Sequence, residues 1–258
     1  RAAGVRMADG REFRAPVVIS NAGASNTFER LLPAGTPATV AIAQAIRALP
    51  PSMAHIALYI GARGASAELG IEGTNLWIHP SADHDANLAR FLEDPGAPFP
   101  LVFLSFPSAK DPAFEARHPG HSTIEAVVPV PYHLFSRWEG SKWKRRGESY
   151  EQFKSLLAER LRAIVEQHVP GLRGRIEIAE LSTPLSTRHF MNYPSGEAYG
   201  LAATPARFRL RALRPRTPIP GLFLTGQDVA MLGVTGALFG GGLCASAVLG
   251  ANIVGRMT

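Results

Sequence analysis

The chain has 258 residues, of which 46% are hydrophobic and 19% charged, a globular composition that excludes a disordered protein. The formal net charge is +6, but no interleaved aromatic and basic pattern accompanies it, so we expect no nucleic-acid partner. The single cysteine, Cys244, cannot form an internal disulfide, so we expect a reducing, cytoplasmic compartment, either away from membranes or at their periphery. No methionine or signal peptide opens the chain, and we interpret it as part of a longer protein.

The first segment predicts a β-hairpin that leads into a buried strand. Asp9-Gly10 is a strong turn signal within residues 5–19. Val17-Val18-Ile19 is a β-branched run, typical of a strand buried on both faces. This run stops at the small and polar residues Ser20-Asn21-Ala22-Gly23. Helical patterns follow over residues 24–32 and 37–49.

The middle of the chain has a different texture, with short strands separated by loops rich in glycine and proline, and we expect a mixed or antiparallel sheet. The predicted strands cover residues 54–60, 75–79, 101–106, 122–128 and 175–181. The clearest helix is predicted over Ser149–His168, where apolar residues recur every three or four positions. Ser149 and Gln152 have the spacing of a capping box at its start.

The last segment returns to the type of element seen at the beginning. A basic run over 207–216 precedes a short strand, Gly221–Thr225, and residues 226–257 are apolar and rich in glycine, with a helix predicted from about Gly236. Because both ends carry a strand that stops at small polar residues, the sequence predicts an α/β sheet domain interrupted by an inserted α+β domain.

The strand and helix at this end also have the properties of a cofactor cradle. Ligands bind at the carboxyl ends of strands in α/β sheets, glycines admit close approach, and helix N-termini favour anionic or polarised oxygens. A carboxylate at the strand end can also accept hydrogen bonds from the hydroxyl groups of a ligand. The alternative is a closely packed strand and helix with no ligand. The candidate residues are Gly226, Asp228, Gly233, Val234, Thr235, Gly236 and Ala237.

Several stretches resemble the family of FAD-dependent oxidoreductases that includes phytoene desaturases, carotenoid isomerases and retinol saturases. The most specific is PIPGLFLTGQDVAMLGVTGALFGGGLCASAVLG over 218–250, whose Thr-Gly-Gln-Asp and Gly-x-x-Gly-Ala elements are most similar to the retinol saturase branch. GVRMADGREFRAPVVISNAG over 4–23 and TPLSTRHFMNYPSGEAYGL over 183–201 also resemble the family. The resemblance covers nearly the whole chain, except for a generic stretch over 54–122.

This resemblance implies the carboxy-terminal part of a Rossmann-type FAD-binding domain with an inserted mixed-sheet substrate domain. The implied FAD domain covers 1–25 and 206–258, and the implied substrate domain covers 26–205. The implied activity is hydride transfer between FAD and a long apolar polyene such as a carotenoid or retinoid. By position, Asp228 would bind the ribityl or pyrophosphate region of FAD, and the backbone of residues 233–237 would lie near the isoalloxazine ring. Tyr199 and Gly200 would lie near the flavin or the substrate cavity. No catalytic acid–base residue is implied, because the flavin carries the chemistry.

One departure from the family pattern is large. No GxGxxG sequence, the usual pyrophosphate-binding turn, occurs in this chain, and Gly240-Gly241-Gly242 does not replace it. We therefore expect this chain alone to bind FAD weakly or not at all. The expected partners are an apolar lipid-like substrate and an amino-terminal FAD-binding half, or another chain that supplies it.

Other classes of site are disfavoured. The scattered histidines form no metal-binding motif, so we expect no metal. The sequence contains no GxSxG nucleophile elbow, so a hydrolase is disfavoured. Residues 229–255 carry no charge and are long enough to cross a bilayer, but their many small residues favour a buried domain helix. Two basic clusters are present. One surrounds Trp143, near Trp138, and consists of Lys142, Lys144, Arg145 and Arg146; the other covers residues 207–216. Each cluster is either a solvated face or a contact with an anionic membrane.

Two other functions stay open beside the flavoenzyme. A non-catalytic module that binds a lipid or a protein partner could retain this half of the fold, and tight lipid binding without flavin would favour it. An amine oxidase-like flavoenzyme shares the strand–Gly–Asp ending, but its paired aromatics and polar amine site cannot be assigned in this sequence.

Overall fold

The computed structural model describes residues 1–33, 35 and 37–256, and these form two compact units. Unit 1 comprises Arg1–Met53 and Glu197–Thr258, and unit 2 comprises Ala54–Gly196. Met257 and Thr258, at the end of the last predicted segment, lie outside the described residues. Unit 2 is thus an insertion between the two parts of unit 1.

Both units mix helices with strands. The strands are β1 Gly4–Arg6, β2 Glu12–Arg14, β3 Val18–Ser20, β4 Ala54–Arg63, β5 Leu76–Ile78, β6 Val102–Ser105, β7 His121–Val130, β8 Ile176–Ser182 and β9 Leu222–Leu224. The α-helices are α1 Ala24–Asn26, α2 Pro37–Arg47, α3 His84–Glu93, α4 Pro107–Lys110, α5 Phe114–Arg117, α6 Glu148–His168, α7 Pro184–Met191, α8 Pro205–Arg209 and α9 Gly233–Leu249. A π-helical segment, Thr27–Leu31, continues α1, and 3-10 turns occur at Tyr132–Leu134, Ser136–Trp138, Pro170–Leu172, Arg211–Leu213 and Val254–Arg256.

Unit 1 is built around two small open sheets. The hairpin of β1 and β2 is antiparallel, as the Asp9-Gly10 turn predicts, and β3 pairs in parallel with β9. The strand run at 17–19 is less buried than its composition predicts, since Val17 is 38% and Ile19 52% exposed. Among the described residues, β3 pairs with β9 alone, so no strand lies along its other edge.

The core of unit 1 explains where the chain divides. Ile42 and Ile46 of α2 belong to the same buried cluster as Phe28, Leu213 and Leu224, which lie in unit 1. Residues 26–53 therefore pack with the two ends of the chain, whereas the sequence places the domain boundary at 25/26. At the other boundary, unit 2 ends at Gly196 instead of residue 205. The functions predicted for the two domains stay predictions.

Unit 2 contains an antiparallel five-stranded sheet in the order β5-β6-β7-β4-β8, as the short predicted strands indicated. Along β7, side chains alternate between buried and half-buried positions, as in a sheet covered on one face. The long helix α6 supplies Leu157, Leu161 and Val165 to the main core. Its N-cap is Gly147, not Ser149, so the predicted capping box is wrong. The Ser149 hydroxyl accepts a hydrogen bond from Trp138 Nε1 instead, at 3.1 Å.

The last helix, α9, begins three residues earlier than the sequence predicts, at Gly233. Within the described part of the chain, no helix combines the length and the hydropathy needed to cross a membrane.

Candidate functional site

The carboxyl ends of β3 and β9 lie side by side in unit 1. Ser20 pairs with Leu224, and the Thr225 amide donates a hydrogen bond to the Ser20 carbonyl at 3.0 Å. The next turn brings Gly226 against Asn21, where a Cβ on Gly226 would lie 2.2 Å from Asn21 Oδ1. Gly226 also has a φ of +94°, a backbone conformation that favours glycine. The two strand ends predicted to be similar are therefore adjacent.

Asp228, two residues after Gly226, is buried, with 6% of its surface exposed. Its Oδ2 accepts a hydrogen bond from the Ala24 amide at 2.7 Å, and its Oδ1 accepts one from the Leu201 amide at 3.0 Å. Gly200, at φ +63°, approaches so closely that a Cβ would lie 2.4 Å from Asp228 Oδ1. Asp228 and Gly200, two predicted site residues far apart in sequence, are thus brought together.

Arg207 lies beside this carboxylate and was not among the predicted site residues. Its side chain is 2% exposed; Nη1 donates to the Leu201 carbonyl at 2.9 Å, and Nη2 donates to the Gln227 carbonyl. Burial lowers the pKa of Arg207 from its ordinary value, and the charge of Asp228 opposes that shift. The sequence placed this arginine in a basic run, and only its packing distinguishes it from its neighbours.

The start of α9 supplies hydrogen-bond donors near these strand ends. The first amides of a helix have no partner within the helix, and here the N-cap is Leu232, whose side chain cannot accept a hydrogen bond. Gly233, at φ +78°, lies against Tyr199, since a Cβ there would be 3.9 Å from a ring carbon. Val234 is 88% exposed. The predicted residues Gly233–Ala237 therefore present an open helix N-terminus beside Tyr199.

Two glycines of α9 allow the helix to pack closely on the turn. A Cβ on Gly240 would lie 2.3 Å from the Gly226 carbonyl oxygen, and one on Gly236 would lie 1.8 Å from the Met231 carbonyl oxygen. Both glycines are buried. Gly236 therefore has a packing role that its prediction as a cofactor contact did not include.

This arrangement can bind a group but carries no recognisable reaction chemistry of its own. The helix N-terminus attracts anionic or polarised oxygens, and the glycine-rich turn lets a flat or extended group approach the backbone. Both oxygens of Asp228 already accept backbone amides, so a ligand hydroxyl would have to use the remaining lone pairs. Within the described ranges, no group of three or more His, Cys, Asp or Glu residues is placed to hold a metal ion.

The fold is similar to that of a solved structure. The chain is similar to a crystal structure of an oxidoreductase from Methanosarcina mazei, with a TM-score of 0.55 and 17% sequence identity over 97% of this chain and 46% of that chain. At that identity, the likeness concerns the fold alone. No protein-family model matches the chain.

Sequence relatives are more informative. The chain is 34% identical over 263 residues to human all-trans-retinol 13,14-reductase, covering 98% of this chain and 43% of the relative. It is 29% identical over 261 residues to the chloroplastic prolycopene isomerase of Arabidopsis thaliana, covering 96% and 39%. A zebrafish relative, named an inactive all-trans-retinol 13,14-reductase, is 31% identical over 243 residues, covering 92% and 40%.

These relatives confirm the resemblance on which the sequence prediction rested. The chain is homologous to one part of the sequence of retinol saturases and carotenoid isomerases. It spans less than half the length of the relatives it matches.

Proposed function

We propose that the protein to which this chain belongs is an FAD-dependent oxidoreductase that acts on a long apolar polyene, such as a retinoid or a carotenoid. The observation that carries this proposal is the open N-terminus of α9 beside the glycine-lined ends of β3 and β9, in a chain homologous to retinol reductases and prolycopene isomerases. When bound, FAD would supply the redox chemistry by exchanging a hydride equivalent with the substrate.

The residues present fit such a cofactor. The backbone of Gly233–Ala237 would hold polarised oxygens of the flavin ring, because the first amides of a helix have no partner within the helix. Of these amides, that of Gly233 donates to Gln227 Oε1 at 3.4 Å. Gly226 and Gly200 would let the strand ends and loops pack closely around Asn21 and Asp228, and Asp228 would fix the loops that surround the cofactor. We propose that a pyrophosphate-binding turn from outside these 258 residues completes the site, since no GxGxxG occurs among them.

One face of the unit 2 sheet suits an apolar substrate. Trp77, Phe103 and Val127 are aligned across β5, β6 and β7, and the Trp77 and Phe103 rings are 4.8 Å apart. Trp77 is 64% exposed, whereas Phe103 and Val127 are half-buried. A partly exposed apolar row can form a binding surface, and we propose that this one contacts the polyene.

The test uses a charge placed at the helix N-terminus. Val234→Glu adds a carboxylate at an exposed position, where the helix dipole would favour it by about 0.3–1 kcal/mol. The same carboxylate would repel an electron-rich flavin oxygen. We expect the full-length variant to keep its thermal stability and to bind FAD roughly tenfold or more weakly, a loss of about 1.4 kcal/mol.

Flavin content and affinity would be measured from the absorbance of the purified protein and by titration with FAD. Val234→Gln is the matched control, because glutamine has the same shape as glutamate and no charge. This variant should bind FAD nearly as well as the wild type. A full-length protein that holds no flavin, or a Val234→Glu variant that binds FAD as tightly as the control, would count against the proposal.

A second function is supported by the relative that is named inactive. A non-catalytic module that binds a lipid or a protein partner would retain the apolar sheet face without using a flavin. Tight binding of a retinoid or carotenoid by a full-length protein that contains no FAD would favour this function over the enzyme.

A further inference from the structure

Three aromatic rings form an exposed cluster on unit 2. Trp143 stacks on His189 at 5.2 Å between ring centroids, Phe190 meets Trp143 edge to face at 5.1 Å, and His189 and Phe190 are 4.8 Å apart. Although the rings contact each other, Phe190 remains 63% and Trp143 41% exposed. Clustered apolar rings at a surface mark an interaction site more often than isolated ones do. We call these three residues the aromatic cluster.

Three exposed cations flank Trp143 of the aromatic cluster in the sequence. Lys142, Lys144 and Arg145 are exposed, and Lys144 Nζ lies 4.6 Å from the centre of the Trp143 ring. Over the described ranges, none of these three cations forms an ion pair. The nearby acid Glu139 is already paired with Arg188, at 2.7 Å between Oε1 and Nη2. The cluster therefore carries positive charge that is free to meet an anionic surface.

A β-turn in the backbone places Lys144 next to Trp143. The Arg145 amide donates to the Lys142 carbonyl at 2.9 Å, so Trp143 and Lys144 are the central residues of a β-turn. Lys144 has a φ of +61°, a conformation that glycine adopts readily and lysine does not. The turn therefore retains a charged side chain at a position where glycine would cost less.

The structure also corrects which residues belong to this surface. Trp138 is 7% exposed and donates to Ser149, so it is not an interfacial residue as the sequence suggested. Arg146 is buried and donates to the carbonyls of Ser141 and Leu185, so it supports the turn from inside. Phe190, more than 40 residues away from Trp143 in sequence, takes the place predicted for Trp138.

We propose that the aromatic cluster and its three cations form a docking surface for an anionic phospholipid membrane. Tryptophan and phenylalanine rings are favoured at the boundary between headgroups and acyl chains, and lysine and arginine bind the anionic headgroups around them. This combination of apolar tip and cationic rim is complementary to a lipid surface in both polarity and charge. The inference goes beyond the proposed function and does not depend on flavin binding.

The first experiment measures flotation of the purified protein with vesicles of phosphatidylcholine alone or mixed with phosphatidylserine. We expect binding to the mixed vesicles only. Changing Lys142, Lys144 and Arg145 together to glutamine should weaken this binding by about one hundredfold, since each cation near an anionic surface contributes roughly fivefold. The double variant Trp143→Ala, Phe190→Ala should also lose binding, because the charges alone then lack an apolar anchor.

The matched control removes the same charge elsewhere. Arg209, Arg211 and Arg214 are exposed in unit 1, and changing all three to glutamine should leave vesicle binding within about twofold of wild type. Circular dichroism and thermal melting of each variant would show that it is folded. Equal loss of binding in the control, or full binding by either cluster variant, would overturn the proposal.

A spectroscopic readout reports on Trp143 directly. In a Trp77→Phe background of the 258-residue chain, the remaining tryptophans are the buried Trp138 and the exposed Trp143. Insertion of Trp143 among lipid headgroups should shift its emission to shorter wavelength when phosphatidylserine vesicles are added. Unchanged emission in a protein that floats with the vesicles would show that another surface makes the contact.

Discussion

Asp228 joins three segments that are distant in sequence. It follows β9, and its two carboxylate oxygens accept the amides of Ala24, at the start of α1, and Leu201, beside Gly200. A buried carboxylate that accepts backbone amides is strongly held, because charge-assisted hydrogen bonds are about twice as strong as neutral ones. The same residue therefore organises the loops at which we place the cofactor.

The first prediction concerns Asp228→Asn. Asparagine has one acceptor oxygen, so its amide group would face either the Ala24 or the Leu201 amide, donor against donor. We expect the free energy of unfolding to fall by about 2–3 kcal/mol, measured by urea denaturation. The control is Asp9→Asn at an exposed site, where an ion pair with Arg11 contributes little, and its effect should stay within about 0.5 kcal/mol. Equal effects at the two sites would contradict this role of Asp228.

At this scale, composition identifies residue types but not their surroundings. The sequence predicted Gly226 and Asp228 as site residues because a strand ending in glycine and an acid is a local pattern. It placed Arg207 in a basic run that was either solvated or in contact with an anionic membrane, yet the fold buries this side chain against the carbonyls of Leu201 and Gln227. Nothing local distinguishes Arg207 from its neighbour Arg209, because the difference arises from tertiary contacts.

At the scale of single elements, the position of α9 depends on glycines with different neighbours. A Cβ on Gly240 would collide with the Gly226 carbonyl oxygen, at 2.3 Å, whereas the nearest atom to a Cβ on Gly241 is Thr225 Oγ1, at 4.0 Å. The two positions are adjacent in one helix and share its conformation. They therefore form a natural pair for separating close packing from helix propensity.

We expect opposite effects from the two alanine substitutions. Gly240→Ala should destabilise unit 1 by about 1–3 kcal/mol, because the helix must move away from the turn at Gly226. Gly241→Ala should be neutral or stabilising by up to about 1 kcal/mol, since alanine favours the helical state over glycine. Urea denaturation of both variants checks this, and a loss of stability at Gly241 or none at Gly240 would contradict the packing.

The strands show how far local patterns reach. The sheet of unit 2 was predicted because alternating apolar residues and turn signals are encoded within each strand, and β4 and β7 extend the predicted segments by only a few residues. The burial of β3 was not predicted correctly, because the exposure of Ile19 depends on which strands and helices lie beside it. A β-branched run specifies a strand, but its neighbours decide how much of that strand is covered.

At the scale of the whole molecule, the two units differ in how well their apolar surface is covered. The main core of unit 2 includes Leu58, Leu104, Leu161 and Leu181, all of them almost fully buried. Unit 1 has a smaller core and small two-stranded sheets. Several apolar side chains of α9 remain exposed, among them Leu238 at 64% and Phe239 at 54%. Since burial of apolar surface is the main source of stability, we expect unit 1 of this chain to unfold more easily than unit 2.

The chain contains a natural probe for each unit. The tryptophans, Trp77, Trp138 and Trp143, all lie in unit 2, and the single cysteine, Cys244, lies in unit 1. Cys244 is 2% exposed, and burial raises the pKa of its thiol, so it should react with a thiol reagent only after its surroundings open. In a urea titration of the 258-residue chain, we expect Cys244 labelling to precede the shift in tryptophan emission. Coincident curves would contradict this order and would mean that the two units unfold as one cooperative structure.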